Sequence, residues 1–139
     1  MSCLAGLGLL SACSSAKSEA TRVEPAKVEV SATGVQQVVL TAQAAGRIGV
    51  TTAPVGAAEP SPSGPVRIVP YAAVLYDADG TTFVYTATGP LVFVRRNVTV
   101  ESIAGDNAFL SDGPAAGTAV VNQAAAELFG VEFGIGAFE

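Results

Sequence analysis

Residues 69–86 read Val-Pro-Tyr-Ala-Ala-Val-Leu-Tyr-Asp-Ala-Asp-Gly-Thr-Thr-Phe-Val-Tyr-Thr. Val74 to Tyr76 and Phe83 to Thr86 are mostly β-branched and aromatic residues, which fit a pleated, half-buried surface. Between them stands Asp77-Ala78-Asp79-Gly80. Asp bonds its own backbone in turns, and Gly supplies a positive φ without steric cost. The run therefore predicts a β-hairpin.

The flanking sequence extends that pattern. Val38-Val39-Leu40 is a short strand, and Thr41 is placed to cap a helix over Ala42 to Ile48, with Leu40, Ala44 and Ile48 at helical spacing. Gly49 ends the helix, and Val50 to Val55 is a second strand broken by Pro54. Gly56 to Pro65 carries Pro60, Pro62, Gly64 and Pro65, and so reads as a loop. Val66 to Val69 precedes the hairpin, and Leu91 to Val100 reads as the longest strand, with Arg96 on its apolar face at a bulge or a wet end. Ala108 to Leu110 and Gly117 to Val121 are further strands, with turns at Gly105-Asp106-Asn107 and Asp112-Gly113-Pro114. Ala124 to Phe129 has room for one helical turn, and Val131 to Phe133 reads as a closing strand or extended tail. Short strands with frequent Gly, Pro and Asp turns predict an all-β domain, a small barrel or sandwich.

Composition narrows the function. The 139 residues hold one small domain plus a tail, and the apolar half is mostly small side chains. A net charge of −5 without clustered Lys or Arg argues against nucleic acid. There is no His, the commonest general base and metal ligand. The chain is thus read as no enzyme, with no catalytic residue, no cofactor and no metal. Both cysteines, Cys3 and Cys13, fall in the first stretch, outside the folded body.

Ala5 to Ala12 is apolar but too short to span a bilayer, and it fits the core of a secretory signal peptide. Leu10-Ser11-Ala12-Cys13 follows, and it resembles the bacterial lipobox. The resemblance implies cleavage before Cys13, acylation of its thiol and attachment to the lipid bilayer. Residues 1–12 contain no Lys or Arg, so the reading includes a start set too late, with a basic segment lost. Residues 13–35 read as a flexible tether.

The hairpin's Val69-Pro70-x-x-Ala73-Val74, then Asp79-Gly80 and Phe83-Val84-Tyr85, resembles the C-terminal domain of periplasmic adaptor proteins, the membrane fusion proteins of resistance-nodulation-division efflux pumps. Arg95-Arg96-x-Val98-x-Val100, Asp112-Gly113-Pro114-x-x-Gly117-x-x-Val120-Val121 and Ala126-Glu127-Leu128-x-Gly130 continue that resemblance in order. Thr41-x-x-x-Ala45-x-x-Ile48-Gly49-Val50-x-Thr52-Ala53-Pro54-Val55 is similar to the opening of the same family's membrane-proximal module. The resemblance implies a permuted SH3-like β-barrel over 66–136, with an added strand, short helix and strand over 36–56. Adaptors carry a lipoyl-like domain, a helical hairpin and a barrel between these blocks. Here only the Pro-rich segment 57–65 intervenes.

By that resemblance the chain is a lipid-anchored adaptor-like module on the extracytoplasmic side of the cell envelope. It would dock on an inner-membrane transporter through loops near Asp77 and Asp79, Asp106 and Asp112, with Arg95 and Arg96 as further contacts. Self-association stays open. A different class also stays open: a free-standing envelope lipoprotein that holds a small ligand or a hard cation on carboxylates of the Asp77, Asp79, Asp106 and Asp112 turns. So does a decayed adaptor remnant. Asp77-x-Asp79-Gly80 echoes the start of a calcium loop but lacks the following ligands, so turn geometry explains it. Phe83, Tyr85, Phe93, Tyr71 and Tyr76 read as core.

Overall fold

A computed structural model describes residues 25–62 and 64–133. The signal-peptide segment, Cys13 and the tether as far as residue 24 lie outside the described residues. The class is all-β. Strands β1 (Ala26–Val30) and β2 (Gln36–Leu40) form a hairpin, and helix α1 (Ala42–Ile48) follows. The Thr41 hydroxyl accepts from the Ala44 amide at 3.1 Å, satisfying one of the helix's unpaired donors. Gly49, at φ 70°, ends the helix in the left-handed conformation that glycine adopts without a Cβ clash.

The chain then runs through β3 (Thr51–Pro54), β4 (Gly56–Ser61) and β5 (Gly64–Pro70). A 3-10 turn over Tyr71–Ala73 leads into β6 (Leu75–Tyr76), β7 (Thr82–Gly89), β8 (Val92–Asn97), β9 (Thr99–Ala104), β10 (Asn107–Asp112) and β11 (Ala119–Gln123). Helix α2 (Ala125–Glu132) closes the described chain. The hairpin expected at 69–86 is β6 on β7, with Leu75 opposite Phe83 and Tyr76 opposite Thr82.

All ladders are antiparallel. A seven-stranded sheet has the order β1-β2-β8-β7-β11-β3, with β6 also on β7. A four-stranded sheet has the order β4-β5-β10-β9. Neither closes on itself among the described residues, so the domain is two open sheets rather than a closed barrel. Val55, Ala73, Val74, Val84, Val98, Leu110 and Val120 fill the space between them. Val38, Leu40, Phe83, Tyr85, Phe93, Val121, Ala125 and Leu128 form a second core on the other face of the larger sheet, beneath α2. The run Phe83-Val84-Tyr85 is buried throughout because β7 is covered on both faces: Val84 points into the first core, Phe83 and Tyr85 into the second.

Several sequence expectations change. Ala26–Val30, read as tether, is a strand laid along β2. The Pro-rich segment 57–65 is not a loop: it holds most of β4 and the start of β5. β4 is an edge strand with an irregular register between Ala58 and Ser61, and Pro60 is tolerated there because an edge can spare a donor. Leu91 to Val100 is not one strand. It divides at buried Val98, where the chain passes from the larger sheet to the smaller, and β7 is the longest strand. Val131 is helical rather than extended, since α2 runs on to Glu132 to seat buried Leu128 on the sheet.

Ala124 enters α2 at φ 67°, a left-handed conformation that strains an L-residue. Ala124→Gly is therefore expected to stabilise the domain by about 0.5–1 kcal/mol. A rise in the thermal midpoint would show it, and a fall would contradict the strained geometry.

Candidate functional site

Arg95 and Arg96 are neighbours on β8, so their side chains leave opposite faces of the sheet. This alternation separates two environments.

Arg95 turns toward α2. Its guanidinium lies 4.1 Å from the centre of the Phe83 ring, with Phe129 and Phe133 at 5.5 and 5.4 Å. Cation–π attraction is favoured there because the rings displace water. Arg95 Nη2 donates to Glu132 Oε2 at 3.0 Å, and Asp77 Oδ2 stands 3.8 Å from Nη1. The Tyr85 hydroxyl donates to the same Glu132 oxygen. Burial foremost, and then this bond to a carboxylate, push the Tyr85 phenol well above its ordinary pKa. The cluster ties the end of α2 to β7, β8 and the hairpin turn. It is a structural clasp whose charges are already partnered.

Below the ordinary tyrosine pKa of about 10, Tyr85 is protonated in both folded and unfolded chains, and its contribution is complete. Above it the unfolded chain releases the proton while the folded chain retains it, so stability falls as pH rises. The slope from this one group approaches about 1.4 kcal/mol per pH unit. Urea midpoints between about pH 9 and about pH 11 should fall less steeply in Tyr85→Phe than in the parent. Equal slopes would contradict the assignment.

Arg96 faces the other way and is exposed. With Asn97, Asp112, Thr86, Thr88 and Thr118 it lines a groove of about 510 Å³, bounded by the ends of β7 and β8 and by the 113–118 loop. Beside the groove, β11 pairs with β7 in register at Val120 and Thr86. Thr86 donates to Val94 O at 3.2 Å, so its hydroxyl retains acceptor capacity. A Cβ on Gly113 would come within 3.0 Å of Leu110 Cδ1 and 3.2 Å of Val98 Cγ1, so a small residue lets the loop settle against the core. One cation, one anion, hydroxyls and a carboxamide can grip a polar partner. Among the described residues, neither Arg96 nor Asp112 is committed to an ion pair.

The six candidate contact residues thus separate. Asp77 and Arg95 belong to the clasp, and Arg96 and Asp112 share the groove. Asp79 donates its amide to Asp77 Oδ1 at 2.9 Å within the hairpin turn, where Gly80 stands at φ 82°. Asp106 sits beside Gly105 in the β9–β10 turn and accepts the Tyr71 amide through its carbonyl at 2.8 Å. Among the described residues no three of His, Cys, Asp and Glu gather as metal ligands, and no helix is long and apolar enough to cross a membrane. Phe83, Tyr85 and Phe93 are core as expected, but Tyr71 and Tyr76 are exposed. A side-chain hydrogen bond with Tyr71, in which Tyr76 donates, raises the pKa of Tyr76.

Sequence reasoning missed Glu132, the acceptor that holds the clasp. Nothing near it in sequence marks it, because its partners are 37 and 47 residues away. The groove's signal was available: alternation along β8 requires Arg95 and Arg96 to face apart.

Comparison with protein-family models and with curated proteins finds no match to this chain.

Proposed function

We propose that this chain is a non-enzymatic, lipid-anchored adaptor-like module of a membrane efflux or transport system. It is tethered through acylated Cys13 and docks on the extracytoplasmic face of an inner-membrane transporter. The observation that carries this reading is the way its two adaptor-like blocks are joined. β2 of the first block pairs with β8 of the second, and β3 pairs with β11. Strands from both blocks therefore meet in the seven-stranded sheet, and the 57–65 segment links the blocks within the β4–β5 hairpin of the smaller sheet. A membrane-proximal module lacking the lipoyl and helical-hairpin parts needs such continuity.

The docking surface assigned by this reading is the groove between Arg96, Asn97 and Asp112, with the adjoining 113–118 loop. A photo-crosslinking residue at Asn97 or Asp112 is expected to capture an inner-membrane transporter in cells. The same residue at Glu59, on β4, serves as the control. Equal capture at all three positions would remove the groove from the interface. Saturable binding of a small polar molecule there, with no transporter captured, would favour the free-standing binding lipoprotein.

A further inference from the structure

Strand β1 ends the seven-stranded sheet, and among the described residues nothing pairs with its outer edge. The parity of its backbone follows from two hydrogen bonds. Thr41 N donates to Pro25 O at 2.9 Å, which directs residues 25, 27 and 29 toward β2. Leu40 N donates to Leu91 O at 2.9 Å on the opposite side of β2, as the same alternation requires. The amides and carbonyls of Ala26, Val28 and Val30 therefore point outward. An antiparallel strand centred on Val28 would receive all of them, placing Val28 opposite Val28 and Val30 opposite Ala26.

That register is self-complementary in charge. Lys27 comes opposite Glu29 of the second copy, and Glu29 opposite its Lys27, in the non-hydrogen-bonded positions where side chains approach most closely. In the single chain these two side chains pair with each other, two residues apart on the same face of an unshielded edge. The other face is apolar: Val28 and Val30 are 37% and 70% exposed, beside the α2 layer. Val30 would be laid across Ala26 of the second copy, which packs on the second core. Edges left unprotected are ready templates for strand pairing.

We infer that β1 is a homotypic edge: two copies of this chain pair their β1 strands antiparallel about a two-fold axis at Val28, giving one continuous sheet. This goes beyond transporter docking and does not depend on it.

The test uses the full chain with Cys3→Ser and Cys13→Ser, so that no native thiol interferes. A hydrogen-bonded antiparallel pair sets its Cα atoms about 5.5 Å apart, within disulfide reach. Val28→Cys is expected to give a covalent dimer on mild oxidation, whereas Ile103→Cys on exposed β9 stays monomeric. Without crosslinking, Lys27→Glu or Glu29→Lys alone should weaken self-association in sedimentation by about tenfold, by opposing like charges. The double swap Lys27→Glu/Glu29→Lys should restore it. A chain that sediments as a monomer, crosslinks equally well at Ile103, or is indifferent to the single swaps would overturn the inference. These exposed positions leave the folded core unchanged, and circular dichroism of each variant verifies that.

Discussion

Arg95→Ala is expected to cost about 3 kcal/mol and to release helix α2 before the sheets unfold. The guanidinium holds Glu132 and stacks on Phe83 while also touching two rings from the α2 region. Removing it leaves the Glu132 carboxylate beside aromatic rings with, among the described residues, only the Tyr85 hydroxyl as partner. A charge stripped of its partner in such surroundings costs more than the pair contributed. The side chains of Arg95 and Glu132 are 22% and 11% exposed, so residual solvent places the cost at the lower end of the range for buried pairs. Amide exchange in residues 125–132 should accelerate ahead of β7 and β11. The double variant Arg95→Met/Glu132→Gln should recover much of the loss, because it removes both charges, keeps the apolar stem and leaves an acceptor for Tyr85. Full cost persisting in the double variant would show that packing, not the stranded carboxylate, sets the effect.

Leu110→Ala is expected to cost about 3 kcal/mol, within the ordinary range of 2–5 for a buried leucine. Leu110 is fully buried between the two sheets, among Val69, Val84, Val98 and Val120. The void would lie where β10 of the small sheet meets β7 and β11 of the large one. Rigid strands on both sides limit collapse, so the cavity persists and its lining loses contacts. A domain of this size has roughly 5–15 kcal/mol in hand, so the thermal midpoint should fall by at least about 10 °C. Ile103→Ala, at an exposed position on β9, should stay within about 0.5 kcal/mol of the parent. A Leu110→Ala cost that small would mean that the sheets do not share a packed core.

The features legible in sequence were those written locally. The turn at Asp77–Gly80 and the strands around it need only neighbouring residues, as do the Thr41 cap and the Gly49 stop of α1. The segments misread were those where partners decide. Pro60 and Pro65 signal a loop by composition, yet Pro60 lies on the edge strand β4, and Pro65 lies near the start of β5, where the β4 register is irregular and β10 pairs only from Arg67 onward. Lys27-Val28-Glu29-Val30 alternates as a strand does, but its polar flanks resemble a tether until β2 is alongside. Alternation separates Arg95 from Arg96, while the identity of Arg95's acceptor depends on where α2 returns to the sheet. The groove is legible only in part. Arg96 and Asp112 stand out as charges at strand ends, but their convergence depends on the loop that crosses between sheets at 113–118.

The most direct test of the functional reading is affinity recovery of the tagged full-length protein from detergent-solubilised membranes, beside a Cys13→Ala form. The account predicts that the parent brings down an inner-membrane transporter and that Cys13→Ala leaves the membrane fraction and loses that partner. A parent protein that resides in the membrane yet recovers no transporter would contradict the adaptor reading.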